Sequence, residues 1–240
     1  MKPLIIGNWK CNPKTLEQAQ QLFNSLRIPK KSKTKVVICP PFVYLKDLKG
    51  GIMLGAQDCF YEHGSHTGQI SVPMLKSLGC KYAIVGHSEK RVLGETNKAI
   101  NNKVRALIKN NLHPILCVGE TKQQKSQVKN ILEKQIKLGL RRISKKDFRK
   151  IIIAYEPVWA IGTGKACASE EAMVMQLLIR KILREIYCQE TAKKATILYG
   201  GSVDSKNALD YVNKAGMQGL LIGSASLKAK EFIEILKKFC

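Results

Sequence analysis

The chain is short of acid. It has 18 Asp and Glu residues against 41 Lys and Arg, a formal charge of +23 over 240 residues. It is also short of histidine, with four, and its eight cysteines include no Cys-x-x-Cys pair. His63 and His66 lie close together without the cysteine pair that a zinc site of this spacing needs, so no structural metal is expected. No apolar run approaches the roughly 20 residues that cross a bilayer. The opening MKPLIIGNWK has only a brief apolar stretch and no small-residue cleavage site, which argues against a signal peptide. These absences point to a folded cytoplasmic protein with reduced thiols, several of which sit in apolar runs (VVICPP, ILCVGE) as small hydrophobes.

Aromatics are missing where nucleic acid would want them. The densest basic stretch, residues 122–150, holds one aromatic, Phe148, and nothing that would interleave with bases. Val128, Ile131, Leu132 and Ile136 recur there at helical spacing, so the expected reading is a packed helix with a solvated lysine face. Such a surface attracts anions at long range, whether phosphates, nucleic acid or acidic membranes. No specific nucleic-acid or membrane partner is expected.

What is present is a regular alternation. Eight continuous apolar runs, PLIIGN, KVVICP, IMLGAQ, YAIVGH, PILCVGE, IIIAYEP, TILYGGS and LLIGSAS, read as parallel strands buried on both faces. Amphipathic stretches separate them. Leu16, Ala19, Phe23 and Leu26 mark one helix, Ile100, Val104, Leu107 and Ile108 another, and Met175, Leu178, Ile179, Ile182 and Ile186 the longest. Ser169, Glu170 and Glu171 open that last helix. The unit between CPPF and GIMLG has the weakest helical signal. The pattern predicts an α/β fold, a single-domain (β/α)8 barrel over residues 1–240. A doubly wound open sheet shares the pattern but usually carries a glycine-rich turn after its first strand, where this chain has NWK.

In a parallel barrel the active site forms at the C-terminal ends of the strands. Here those ends release Asn8 and Lys10; His87, Ser88 and Glu89; Glu156; Gly200, Gly201 and Ser202; and Gly223 and Ser224. Each alone has a plain structural explanation: a surface lysine, a strand-end cap, an ion-pair partner, a tight turn. Together on one rim they supply a base, a proton donor, a fixed cation and a glycine-rich anion cradle. That set suits proton abstraction beside a carbonyl in a small phosphorylated substrate.

GNWK, VGHSEKR, CVGET, AYEPVWAIGTGK and YGGSV, in this order and spacing, resemble the triosephosphate isomerase family from about Lys2 to the last helix. The family is a standard worked case of divided acid–base roles, and the assignments below are carried from it. The resemblance implies interconversion of dihydroxyacetone phosphate and D-glyceraldehyde 3-phosphate through an enediolate, in glycolysis and gluconeogenesis, without cofactor or metal. It implies that Glu156 is the base and His87 a neutral imidazole electrophile. Lys10 is then the cation that holds substrate, with Asn8 and Trp9 beside it, and Glu89 is a buried carboxylate behind the reacting groups. Residues 157–165 match a mobile lid hinged at Pro157 and Lys165, with Gly162 offering its N–H to phosphate. Ser202, Gly223 and Ser224 match the other phosphate contacts.

The resemblance also implies a homodimer formed through the loop carrying Thr67, with Cys11 near the docking site. Three positions depart from the family. Ser224 stands where a second glycine is common, Gln69 where glutamate is usual, and Lys90 where arginine is usual. The last two weaken an ion pair expected across the subunit interface. Another sugar-phosphate barrel enzyme would share the phosphate cradle but has no need of NWK, GHSE and YEPVWAIGTGK together. A use of the basic surface for secondary binding of polyanions is the alternative function.

Overall fold

A computed structural model describes residues 2–29, 32, 34–162 and 166–240. Eight parallel strands close into a barrel in sequence order: β1 (Leu4–Asn8), β2 (Lys35–Cys39), β3 (Met53–Ala56), β4 (Tyr82–Val85), β5 (His113–Val118), β6 (Ile152–Tyr155), β7 (Thr196–Tyr199) and β8 (Gly219–Ile222). The ring closes where β8 pairs with β1, Leu4 opposite Gly219 and Gly7 opposite Ile222. This is the expected (β/α)8 architecture, not an open sheet.

Around the barrel run α1 (Leu16–Ser25), α2 (Val72–Ser77), α3 (Ser88–Val92), α4 (Asn97–Lys109), α5 (Val128–Gly139), α6 (Lys145–Phe148), α7 (Ser169–Ile186), α8 (Gln189–Lys194), α9 (Ala208–Asn213) and α10 (Ala229–Lys237). Between β2 and β3 the described chain makes only a 3-10 turn over Phe42–Tyr44. Pro40 and Pro41 remove two N–H donors before it, and Gly50 and Gly51 follow, so the sequence gives a helix little to hold.

The strands are continuously apolar because each serves two cores. Ile6, Val37, Ile84, Ile115, Ala154 and Leu198 fill the barrel interior. Their strand neighbours Ile5, Val36, Ile38, Val85, Leu116, Ile153 and Ile197 face outward onto the helices. In α5, Leu132 and Ile136 are buried while Lys129, Lys134 and Lys137 are exposed, as the periodicity predicts. Helix α7 begins at Ser169, but its cap is Ala168 and no side chain caps it; Glu170 and Glu171 oppose the dipole instead.

The thiols divide by environment. Burial pushes Cys39, Cys59 and Cys117 well up and Cys80 to about 11. Cys188, partly exposed, lies 3.3 Å from Thr191 Oγ1, and hydrogen bonds from Thr191 and then Lys145 lower its pKa to about 7. Iodoacetamide at neutral pH is therefore expected to alkylate Cys188 well before those four, with a rate half-maximal near pH 7, since the thiolate is the nucleophile. Peptide mapping that finds Cys80 modified as fast as Cys188 would contradict this.

Candidate active site

The C-terminal mouth of the barrel holds a cavity of about 160 Å³, lined by Asn8, Lys10, His87, Glu156, Gly162, Ser202, Gly223 and Ser224 among others. Eight of the ten residues to which the resemblance gives catalytic or binding roles thus meet in one place. Lys165 and its neighbours Thr163 and Gly164 lie outside the described residues.

Lys10 leaves β1 in a left-handed conformation, φ 52°, that a side chain seldom adopts. Neighbouring groups hold it there. Asn8 Oδ1 accepts the Lys10 N–H at 3.1 Å, and Gln57 Nε2 donates to the carbonyls of Lys10 (2.8 Å) and Cys39 (2.9 Å). The turn aims the ammonium across the mouth to Glu89 Oε1 at 2.6 Å. Nothing in the sequence singled out Gln57, which acts across 47 positions.

His87 caps the first turn of α3. Its Nδ1 accepts the Glu89 N–H at 3.2 Å, so Nε2 carries the ring proton of the neutral imidazole and is the donor. The corner before it is pinned on both sides. Gly86 N–H donates to Glu95 Oε2 (3.1 Å), while Arg91 donates to the carbonyls of Gly86 (2.8 Å) and Cys117 (3.1 Å). Lys103 ties Glu95 to Asp58, and Lys90 pairs with Asp58 at 3.0 Å. Lys90, expected to face a partner subunit, therefore finds its counter-charge within its own chain.

Glu156 ends β6 and is 2% exposed. Its N–H donates to Val118 O (2.8 Å), and its Oε2 accepts the Ser88 N–H (2.9 Å). Oε1 is fully buried with no hydrogen-bond partner among the described residues, 3.3 Å from His87 Nε2. Such an oxygen needs a reason. Cys117, read from sequence as a small hydrophobe, lies close enough for burial and the Glu156 charge to hold its thiol protonated. Glu120 is a further residue that the motif CVGET contained without a role. Buried, and so raised in pKa, it accepts from Tyr155 Oη (3.1 Å) and Trp159 Nε1 (2.7 Å) just beyond Glu156.

Gly119 permits this geometry. A Cβ there would stand 1.7 Å from the Glu156 carbonyl oxygen, so the two backbones could not keep their places. Gly119→Ala is expected to cost about 3 kcal/mol and lower Tm by about 5–10 °C while displacing the carboxylate. A thermal melt and a turnover assay check this; parental values for both would contradict it.

Two assignments need correction. Trp9 does not line the cavity: its side chain is fully buried in the layer between barrel and helices, because successive residues leaving β1 point to opposite sides. In the single chain Glu89 is not buried. Its side chain is 56% exposed, since it stands on the first turn of α3 facing a neighbouring open pocket bounded by Lys10, Cys11, Gln57 and Leu93. At Ser224 the backbone is not left-handed, so serine replaces glycine there without strain.

A closed parallel barrel that gathers a carboxylate, an imidazole, a lysine and glycine-rich loops at its C-terminal mouth belongs to the class of (β/α)8-barrel enzymes. The family model described as triosephosphate isomerase matches residues 3–239. Proteins named triosephosphate isomerase from Endomicrobium trichonymphae and Aquifex aeolicus (strain VF5) are 42% and 41% identical to the chain, over 98% and 100% of both partners' lengths. One from Clostridium botulinum (strain Okra / Type B1) is 42% identical over 97% of this chain and 98% of its own. The chain belongs to the triosephosphate isomerase family.

Proposed function

We propose that the chain interconverts dihydroxyacetone phosphate and D-glyceraldehyde 3-phosphate, with the cavity at the barrel mouth as its active site. The observation that carries this reading is the buried Oε1 of Glu156, unpartnered among the described residues, beside the donor nitrogen of His87. A base is held ready there next to a group that can polarise a carbonyl. The phosphate sits against the backbone around Gly162, Ser202, Gly223 and Ser224, where N–H groups and glycine allow close approach.

In the reaction Glu156 lets go of the Ser88 N–H and takes a proton from the carbon next to the carbonyl. The C–H electron pair becomes the C=C bond of an enediolate, and the carbonyl oxygen takes the charge. His87 Nε2–H and the Lys10 ammonium stabilise that oxygen. His87 Nε2 gives its proton to that oxygen and takes one from the neighbouring hydroxyl, and Glu156 returns the carbon-borne proton to the former carbonyl carbon, so that the neighbouring oxygen becomes the carbonyl of the isomer. Closure of the segment after Glu156, of which residues 157–162 are described, keeps water from the carboxylate and the enediolate from losing phosphate.

The active form in this reading is a cytoplasmic homodimer. Val43, Met74, Val92 and Leu93 are exposed apolar residues, and Leu93 borders the pocket beside Lys10. In this reading the exposed loop carrying Thr67 of a second copy docks at that pocket, over Glu89. No helix among the described residues is long and apolar enough to cross a membrane.

The test is a coupled assay of D-glyceraldehyde 3-phosphate isomerisation beside larger sugar phosphates. Turnover of the triose alone is expected; turnover of a larger sugar phosphate alone would replace this reading with another barrel activity.

A further inference from the structure

Behind the phosphate end of the cavity, two stacked tyrosines hold one peptide by hydrogen bonds to its N–H and its carbonyl. Tyr199, the last residue of β7, stacks on Tyr211 of α9 with centroids 3.7 Å apart and planes 12° from parallel. Tyr211 is buried and donates its O–H to Cys167 O at 2.7 Å. Cys167 N–H donates to Tyr199 Oη at 3.3 Å. The two hydroxyls thus satisfy both polar groups of the buried Cys167 peptide, and removal of either leaves one of those groups unsatisfied away from water.

The pair bears directly on the cavity wall. A Cβ on Gly201 would stand 2.3 Å from Tyr199 Oη, so the phenol lies immediately under the Gly200–Ser202 backbone. Those three residues line the cavity, and Tyr211 does not.

We propose that Tyr211 is a positioning residue for phosphate binding, fixing Tyr199 and through it the Gly200–Ser202 loop, together with the peptide of Cys167. This rests on the isomerase reading for its substrate, but phosphate binding alone also reads it. Tyr211→Phe keeps the stacked ring and deletes one hydroxyl. It is expected to raise KM for D-glyceraldehyde 3-phosphate and the inhibition constant of inorganic phosphate together, by about three- to tenfold, with kcat nearly unchanged. Tyr199→Phe removes the other hydrogen bond to the same peptide. The double variant is therefore expected to be little worse than the more damaging single one.

Unchanged phosphate binding in Tyr211→Phe, or a double variant whose losses simply add, would overturn the proposal. Phosphate binding followed by phosphorus NMR needs no turnover. A folded but inactive parent would thus sink the isomerase reading while the same titration still decides the role of Tyr211.

Discussion

Replacing Glu156 with glutamine is expected to lower kcat by about 10²–10⁴-fold, the usual span for loss of a general base. The amide can still accept the Ser88 N–H through its oxygen, so the side chain keeps its place, but it cannot take a proton from carbon. Inhibition by inorganic phosphate is expected to stay within about twofold of the parent, because Glu156 acts only on the reacting carbons. Steady-state kinetics with phosphate as inhibitor checks both. A variant retaining a tenth of the parental kcat would mean that another group removes the proton.

Lys10→Met is expected to fail differently. The ammonium serves both the bound dianion and the developing oxyanion, so kcat/KM is expected to fall by about 10²–10³-fold, with KM and kcat both affected. Glu89 would also lose its 2.6 Å partner and present an uncompensated carboxylate beside a site for an anion. Phosphate inhibition should weaken in step with KM, in contrast to Glu156→Gln. Unaltered phosphate inhibition would show that Lys10 acts on the oxyanion alone.

The barrel was legible because each strand is buried on both faces: Ile5 packs outward and Ile6 inward, leaving a continuous apolar run in the sequence. The principal site residues were legible because they follow such runs directly, and a barrel brings all strand ends to one mouth. What stayed hidden depends on contacts far apart in the chain. Ser88 meets Glu156 across 68 positions, Gln57 meets Lys10 across 47, and Tyr211 meets Cys167 across 44. Trp9 was misjudged for a related reason, and Glu89 stands open in the single chain. A motif fixes which residues stand together but not how deep each side chain sits, and Trp9 turns into the core while its neighbours face the cavity. The role of Lys90 likewise turned on Asp58, which no spacing rule connects to it.

The central claim is that Glu156 carries a proton between adjacent carbons of a triose phosphate. Its most direct test is turnover of dihydroxyacetone phosphate by the parent in deuterium oxide, with the product analysed by NMR. Product is expected with a single deuterium at the carbon that receives the proton in a share of the molecules, and both turnover and label are expected to vanish in Glu156→Gln. Turnover and label retained at the parental level in Glu156→Gln would show that another group moves the proton, and would contradict the role given to Glu156.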